Sequence, residues 1–201
     1  LPGHNNDKFN SKFSLINYAN SIVLLILRNN LCNLVFFSHS VGGIIPILIA
    51  KQMKQKYLIK KFFNYEGNLT EYDTDTITKK TISYNMNEFD KKFNTLIGIC
   101  EQSSQSEIRL WSDSLKKTSS KAFYDLSKDA VFLSKKNILL QFFRIFFRRK
   151  LYMFGSNSLL KSSEFIFGSE RLILNNTGHF AFYDDKTKFL SIFLKLIYNC
   201  K

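Results

Sequence analysis

Proline, glycine, cysteine and long apolar runs are all scarce in this sequence. Two prolines and eight glycines in 201 residues exclude a fibrous repeat. The three cysteines, Cys32, Cys100 and Cys200, are odd in number and far apart, which excludes a disulfide framework. They match no metal-ligand spacing either, so they read as free thiols of a reducing, cytoplasmic setting. No run reaches the ~18 apolar residues of a membrane span. The nearest stretch, Asn29 to Ala50, is uncharged but broken by Asn33, Ser38, His39 and Ser40. The chain opens on Leu1 with no signal-peptide pattern, and it reads as clipped at its N-terminus.

What is present is an ordinary globular balance, 45% hydrophobic and 22% charged, at a length suited to one domain. The formal charge of +13 invites a nucleic-acid reading. Its distribution argues against one. The pairs Lys60-Lys61, Lys79-Lys80, Lys91-Lys92, Lys116-Lys117 and Lys135-Lys136 are spread along the chain, and only Arg148-Arg149-Lys150 makes a run. Lysine, moreover, far outnumbers arginine, the residue that bidentate base readout prefers. The charge reads as a solvated surface, and no nucleic-acid partner is expected.

Along the chain, Ser14 can cap a helix running to about Arg28, with Leu15, Tyr18, Ala19, Ile22, Leu25 and Ile26 at helical spacing. Leu34-Val35-Phe36-Phe37 lacks polar alternation, as a strand buried on both faces of a parallel sheet does. A tight turn at Ser38-His39-Ser40-Val41-Gly42-Gly43 then leads into an apolar helix. Ile59 to Tyr65, Arg149 to Phe154 and Arg171 to Leu174 are further strand candidates. A last helix spans about Lys186 to Tyr198. Strands alternating with helices predict an α/β class with a parallel sheet flanked by helices. The stretch from Asn68 to about Phe147 holds no convincing strand and is too long for a loop. It is expected to form a helical cap inserted between the second and third strands. Residues 1–66 and 148–201 would then be the core, and 67–147 the cap. Phe142, Phe143, Phe146 and Phe147 read as buried helix rather than a membrane anchor.

The chemistry concentrates at Ser40. It lies in a small-x-Ser-x-Gly turn between a buried strand and a helix, a nucleophile elbow. The sharp turn is expected to require small residues two before and two after the serine, here Ser38 and Gly42. At a helix N-terminus the Val41 N–H can meet a developing oxyanion. A serine hydroxyl needs a base. Of the three histidines, His39 adjoins Ser40 and should point away from it, packing behind the elbow. His4 lies in the first loop. His179, after the fourth strand, can return over Ser40. Glu66, ending the strand after the nucleophile strand, is the candidate carboxylate that orients the base. Asp184 and Asp185 are expected to cap the last helix. Asp73 and Asp75 belong to the start of the cap. Trp111 and Phe123 are candidates either to line a pocket or to pack the cap. No metal and no cofactor motif is found.

These residues resemble the α/β-hydrolase fold family. Ser38-His39-Ser40-Val41-Gly42-Gly43 is similar to its Gly-His-Ser-x-Gly-Gly elbow, with Ser38 in place of the first glycine. Leu1-Pro2-Gly3-His4 looks like the loop after its fourth strand, and Gly178-His179-Phe180 like its histidine loop. Glu66-Gly67-Asn68-Leu69-Thr70, Arg109-Leu110-Trp111 and Tyr152-Met153-Phe154-Gly155 resemble a capped, bacterial-type subgroup carrying Glu-Gly-Asn-Leu after the sixth strand. Family members usually place the acid after the seventh strand, where this chain has Ser158, but some place a glutamate where Glu66 stands. The resemblance covers nearly all of the chain and implies a partial α/β-hydrolase fold that begins after the fourth strand. The loop supplying the second oxyanion donor would then be missing, a loss of roughly 2.7–4 kcal/mol of transition-state stabilisation. The activity implied is a serine hydrolase cleaving an ester-like small molecule through Ser40, His179 and Glu66. Against it stand two alternatives, a catalytically inactive interaction protein of the same fold and a basic binding module.

Overall fold

The computed structural model describes residues 1–5, 7, 14–53, 58–75, 77–158, 164–166 and 171–198. Helix α1 (Leu15–Arg28) begins at Ser14, whose side chain accepts the Asn17 N–H. It leads to β1 (Leu34–His39), which extends two residues past the apolar run Leu34–Phe37. A short 3-10 turn, Ser40–Gly43, opens α2 (Ile44–Gln52). Then come β2 (Ile59–Tyr65), α3 (Ile77–Ile82), α4 (Met86–Glu101), α5 (Ser106–Lys116), α6 (Ser120–Ser134) and α7 (Ile138–Phe146). The chain finishes with β3 (Lys150–Gly155), β4 (Arg171–Leu174), α8 (Ala181–Asp184) and α9 (Lys186–Tyr198).

The four strands form one parallel sheet in the order β1-β2-β3-β4. His39 pairs with Tyr65, Tyr65 with Met153, and Gly155 with Leu174, so the C-terminal ends of neighbouring strands lie level. At the other end the register slips between Leu34 and Val35, leaving Lys60 as a bulge in β2. Side chains alternate across the sheet. Leu34, Phe36, Phe62, Tyr152 and Phe154 pack with α1, α2, α6 and α7 in one apolar cluster. Phe37, Phe63, Tyr65, Leu151, Met153 and Leu172 pack with α8 and α9 in another. Three layers result.

Helix α2 is buried on every side from Ile44 to Ala50, which explains why its sequence shows no polar face. Pro46 fits because it lies in the first turn, where its N–H has no helical partner. Between β2 and β3 no strand is described. Helices α4, α5 and the start of α6 gather their own cluster around Phe89, Phe93, Leu115 and Phe123. Helix α7 instead joins the sheet's cluster, with Phe143 and Phe147 against Phe62 at ring centroids 5.5 and 4.7 Å. No described helix is long and apolar enough to cross a membrane.

Candidate active site

Ser40 and Glu66 are the residues that directly follow the paired positions His39 and Tyr65. Both leave the sheet with a left-handed backbone, φ 54° at Ser40 and 44° at Glu66. Such a conformation strains a residue with a Cβ, and a strained serine between a buried strand and a helix is what an elbow requires. The loop after β2 is fastened to that turn, since the Asn68 N–H donates to the Ser40 carbonyl (3.1 Å).

The Glu66 side chain is fully buried, and both of its oxygens are used. Oε1 accepts the Gly155 N–H at the end of β3 (2.8 Å), and Oε2 lies 2.7 Å from His179 Nδ1. A carboxylate only accepts, so Nδ1 carries a proton, and a ring that holds this one proton has its lone pair on Nε2. No hydrogen bond joins the Ser40 hydroxyl to His179.

The histidine loop is held at several points. Tyr65 Oη donates to the Gly178 carbonyl, and the Gly178 N–H donates to Asp184 Oδ2 (2.7 Å). His39 Nε2 lies 2.7 Å from the His179 carbonyl, and the two imidazole centroids are 4.5 Å apart. Burial, with His179 close by, pushes the His39 pKa down to about 3. Burial also raises the Tyr65 phenol well above its usual value, with the Glu66 charge adding to the shift. Across the loop, Trp111 of α5 packs on Phe180 with ring centroids 5.9 Å apart.

No protein-family model matches the chain, and no curated protein does. Solved structures do. A carboxylesterase of the thaumarchaeon Nitrososphaera gargenis aligns at TM-score 0.71 and 15% identity, over 99% of this chain and 79% of its own. An esterase of Exiguobacterium antarcticum aligns at 0.69 and 14%, over 98% and 78%. The N-acyl homoserine lactonase AidH aligns at 0.68 and 13%, over 100% and 77%. The fold is the α/β-hydrolase fold.

Within that α/β-hydrolase fold, three sequence expectations need correction. Gly42 is not the residue that must be small, because a Cβ there meets nothing within 4 Å. The constraint falls on Gly43, where a Cβ would stand 2.6 Å from Asn64 Oδ1 and 2.8 Å from the Gly67 Cα. His39 does not simply pack behind the elbow, since it binds the histidine loop. Of the two expected caps, Asp185 accepts the Lys188 N–H of α9, whereas Asp184 fastens Gly178. Ser38 is accommodated because its hydroxyl donates to Asn64 Oδ1 (3.1 Å) inside the sheet.

His4 is tied to its own loop through Pro2 O, and Phe123 packs among Phe89 and Phe93. Cys32 and Cys100 are free thiols, and Cys200 lies outside the described residues. Tyr65, Asn64 and Asp184 contribute to the site without having been singled out for it. The available signal for Asn64 was an asparagine between the aromatic residues Phe62, Phe63 and Tyr65 in the second half of β2.

Proposed function

We propose that the chain is a serine hydrolase that cleaves an ester-like small molecule, with Ser40 as nucleophile, His179 as base and Glu66 as the acid that orients it. The observation that carries this reading is the 2.7 Å contact between His179 Nδ1 and Glu66, because it leaves a basic Nε2 in the loop beyond the sheet edge where Ser40 emerges. The solved neighbours include carboxylesterases and an N-acyl homoserine lactonase, which supports ester chemistry at a coarse level.

In this mechanism Ser40 Oγ attacks the carbonyl carbon and its proton passes to His179 Nε2. The oxyanion faces the Val41 N–H at the start of the turn into α2, where the positive end of the helix favours it. The tetrahedral species collapses, and the leaving alcohol takes the proton from His179. Water, deprotonated by His179, then releases the acid and restores Ser40. Glu66 remains a carboxylate throughout and stabilises the imidazolium. Ser38, His39, Gly42 and Gly43 build the elbow. The helices of 67–147 serve as the cap over the substrate, with α7 anchoring that segment in the sheet's core.

The open Ser40–His179 hydrogen bond favours a second reading, a non-catalytic protein that retains the fold. Nucleophile–base contacts are often long before substrate binds, so this observation weighs less than the Glu66 contact. A fluorophosphonate separates the two. The hydrolase reading expects a phosphonylated Ser40 peptide in mass spectrometry, absent after Ser40→Ala. An unlabelled chain, or a labelled alanine variant, sinks that reading.

A further inference from the structure

We propose that His39 is a positioning residue for the base, one that clamps the main chain of the histidine loop so that His179 keeps its bond to Glu66. This rests on the serine-hydrolase reading. The geometry begins with a chemical constraint. A carbonyl oxygen only accepts, so the 2.7 Å contact between His39 Nε2 and His179 O fixes the proton on His39 Nε2. The His39 ring lies against the His179 imidazole at 4.5 Å and is enclosed by Tyr65, Phe180 and Phe182 at centroid distances of 5.8, 5.5 and 5.1 Å.

Tyr65 completes the clamp. His39 and Tyr65 are paired residues at the ends of β1 and β2, and they donate to consecutive carbonyls, His179 O and Gly178 O. The peptide that carries the base is thus held by two adjacent strand ends, while Asp184 holds the Gly178 N–H. With the main chain fixed, few torsions remain between it and the Nδ1–Glu66 contact.

The clamp also has an electrostatic requirement. An imidazolium at His39 would repel the imidazolium that forms on His179 during turnover. The titratable groups near His39 are His179 and the Tyr65 phenol, and the carboxylates of Glu66 and Asp184 reach the same loop through His179 and Gly178. Burial and the neighbouring His179 keep His39 neutral down to about pH 3, so it carries no charge wherever an esterase would work. The elbow histidine therefore contributes a donor and a ring face but no charge.

The test uses the full 201-residue chain. His39→Phe keeps a ring and removes the donor, His39→Gln keeps a donor of similar reach, and Tyr65→Phe removes one hydroxyl alone. NMR of histidine-labelled protein reads the far-downfield His179 Nδ1–H resonance and the titration of His179. Fluorophosphonate labelling gives the rate, and thermal melting gives stability. In the wild type, His39 should appear as the Nε2–H tautomer. His39→Phe is expected to weaken the Nδ1–H resonance, shift the His179 titration and slow labelling by about 10²-fold. His39→Gln should restore most of the rate, and Tyr65→Phe should move the same readouts by less.

Unchanged His179 signals in His39→Phe and Tyr65→Phe overturn the proposal, as do Gln and Phe variants that are equally impaired. If the wild type fails to label while His39→Phe still disturbs the Nδ1–H resonance, the clamp stands and the hydrolase reading fails. If the wild type labels and neither variant alters His179, the hydrolase reading stands and the clamp fails.

Discussion

At the residue scale, two non-glycine residues carry the strain of the site. Ser40 and Glu66 both sit in the left-handed region, a cost of order 1–3 kcal/mol each that the surrounding contacts must offset. The two glycines after Ser40 differ in what they tolerate. Gly42→Ala should leave the urea midpoint unchanged or slightly raised, since open space surrounds it and alanine suits a helical turn. Gly43→Ala should lower stability by about 1–3 kcal/mol, because its Cβ meets Asn64 and the Gly67 backbone. Equal midpoints for the two variants would contradict this contrast. Glu66→Gln should slow fluorophosphonate labelling by up to about 10⁴-fold, since a glutamine amide can donate to Nδ1 and so place the proton on Nε2, the wrong tautomer. The turn at Ser40 and the meeting of Glu66 with His179 could be anticipated from the sequence, because serine at a strand-to-helix turn, an acid at a strand end and a late Gly-His are local patterns. His39, Tyr65 and Asp184 act on the main-chain atoms of a loop more than a hundred residues away, or around a corner of the same loop, and local pattern carries no such information.

At the element scale, local chemistry marked most boundaries. The Ser14 cap, the strand Ile59–Tyr65, the strand Arg171–Leu174 and the last helix all fall where periodicity and capping put them. The division of α6 from α7 was illegible, for it depends on left-handed Lys136 and Asn137 with no glycine or proline to announce it. The link between α1 and α6 was equally hidden. Asp129 Oδ2 accepts the Leu15 N–H at 2.7 Å, placing a carboxylate at the positive end of α1. Burial nevertheless raises the Asp129 carboxyl above its ordinary range, with Asp125 adding to the rise and the Leu15 bond opposing it. A raised folded value means that folding takes up a proton between the unfolded and folded pKa. The associated stability is full below the unfolded value and is lost as pH climbs through the folded one. At neutral pH, Asp129→Asn keeps an acceptor for Leu15 and should raise the melting temperature. The gain should shrink in acid, and a gain constant with pH would show that the charge is not its source.

At the scale of the whole molecule, the +13 net charge sets conditions for stability without specifying the fold. The described Lys–Asp and Lys–Glu ion pairs involve lysines about half exposed, so each contributes little against that self-repulsion. Raising the salt from about 10 mM to 150 mM shortens the screening length from about 30 to 8 Å, and the melting temperature should rise. A fall would show that local pairs outweigh the net repulsion. The layered α/β arrangement was legible because strands without polar alternation must be covered on both faces. The sharing of the helical segment between two apolar clusters was not, because α7 is as apolar as a helix of either cluster would be.

The bulge at Lys60 has a consequence for how this chain can change length. It lies at the end of the sheet opposite Ser40 and Glu66, and beyond it each residue of β2 has a fixed partner as far as His39–Tyr65. Loss of Lys60 would straighten the ladder and leave every downstream pairing in place. Loss of one residue between Lys61 and Tyr65 would pull Glu66 back by one strand rise, about 3.3 Å, and turn alternate side chains to the opposite face. Insertions and deletions are thus absorbed at one rim of the sheet, while the other rim keeps a fixed count.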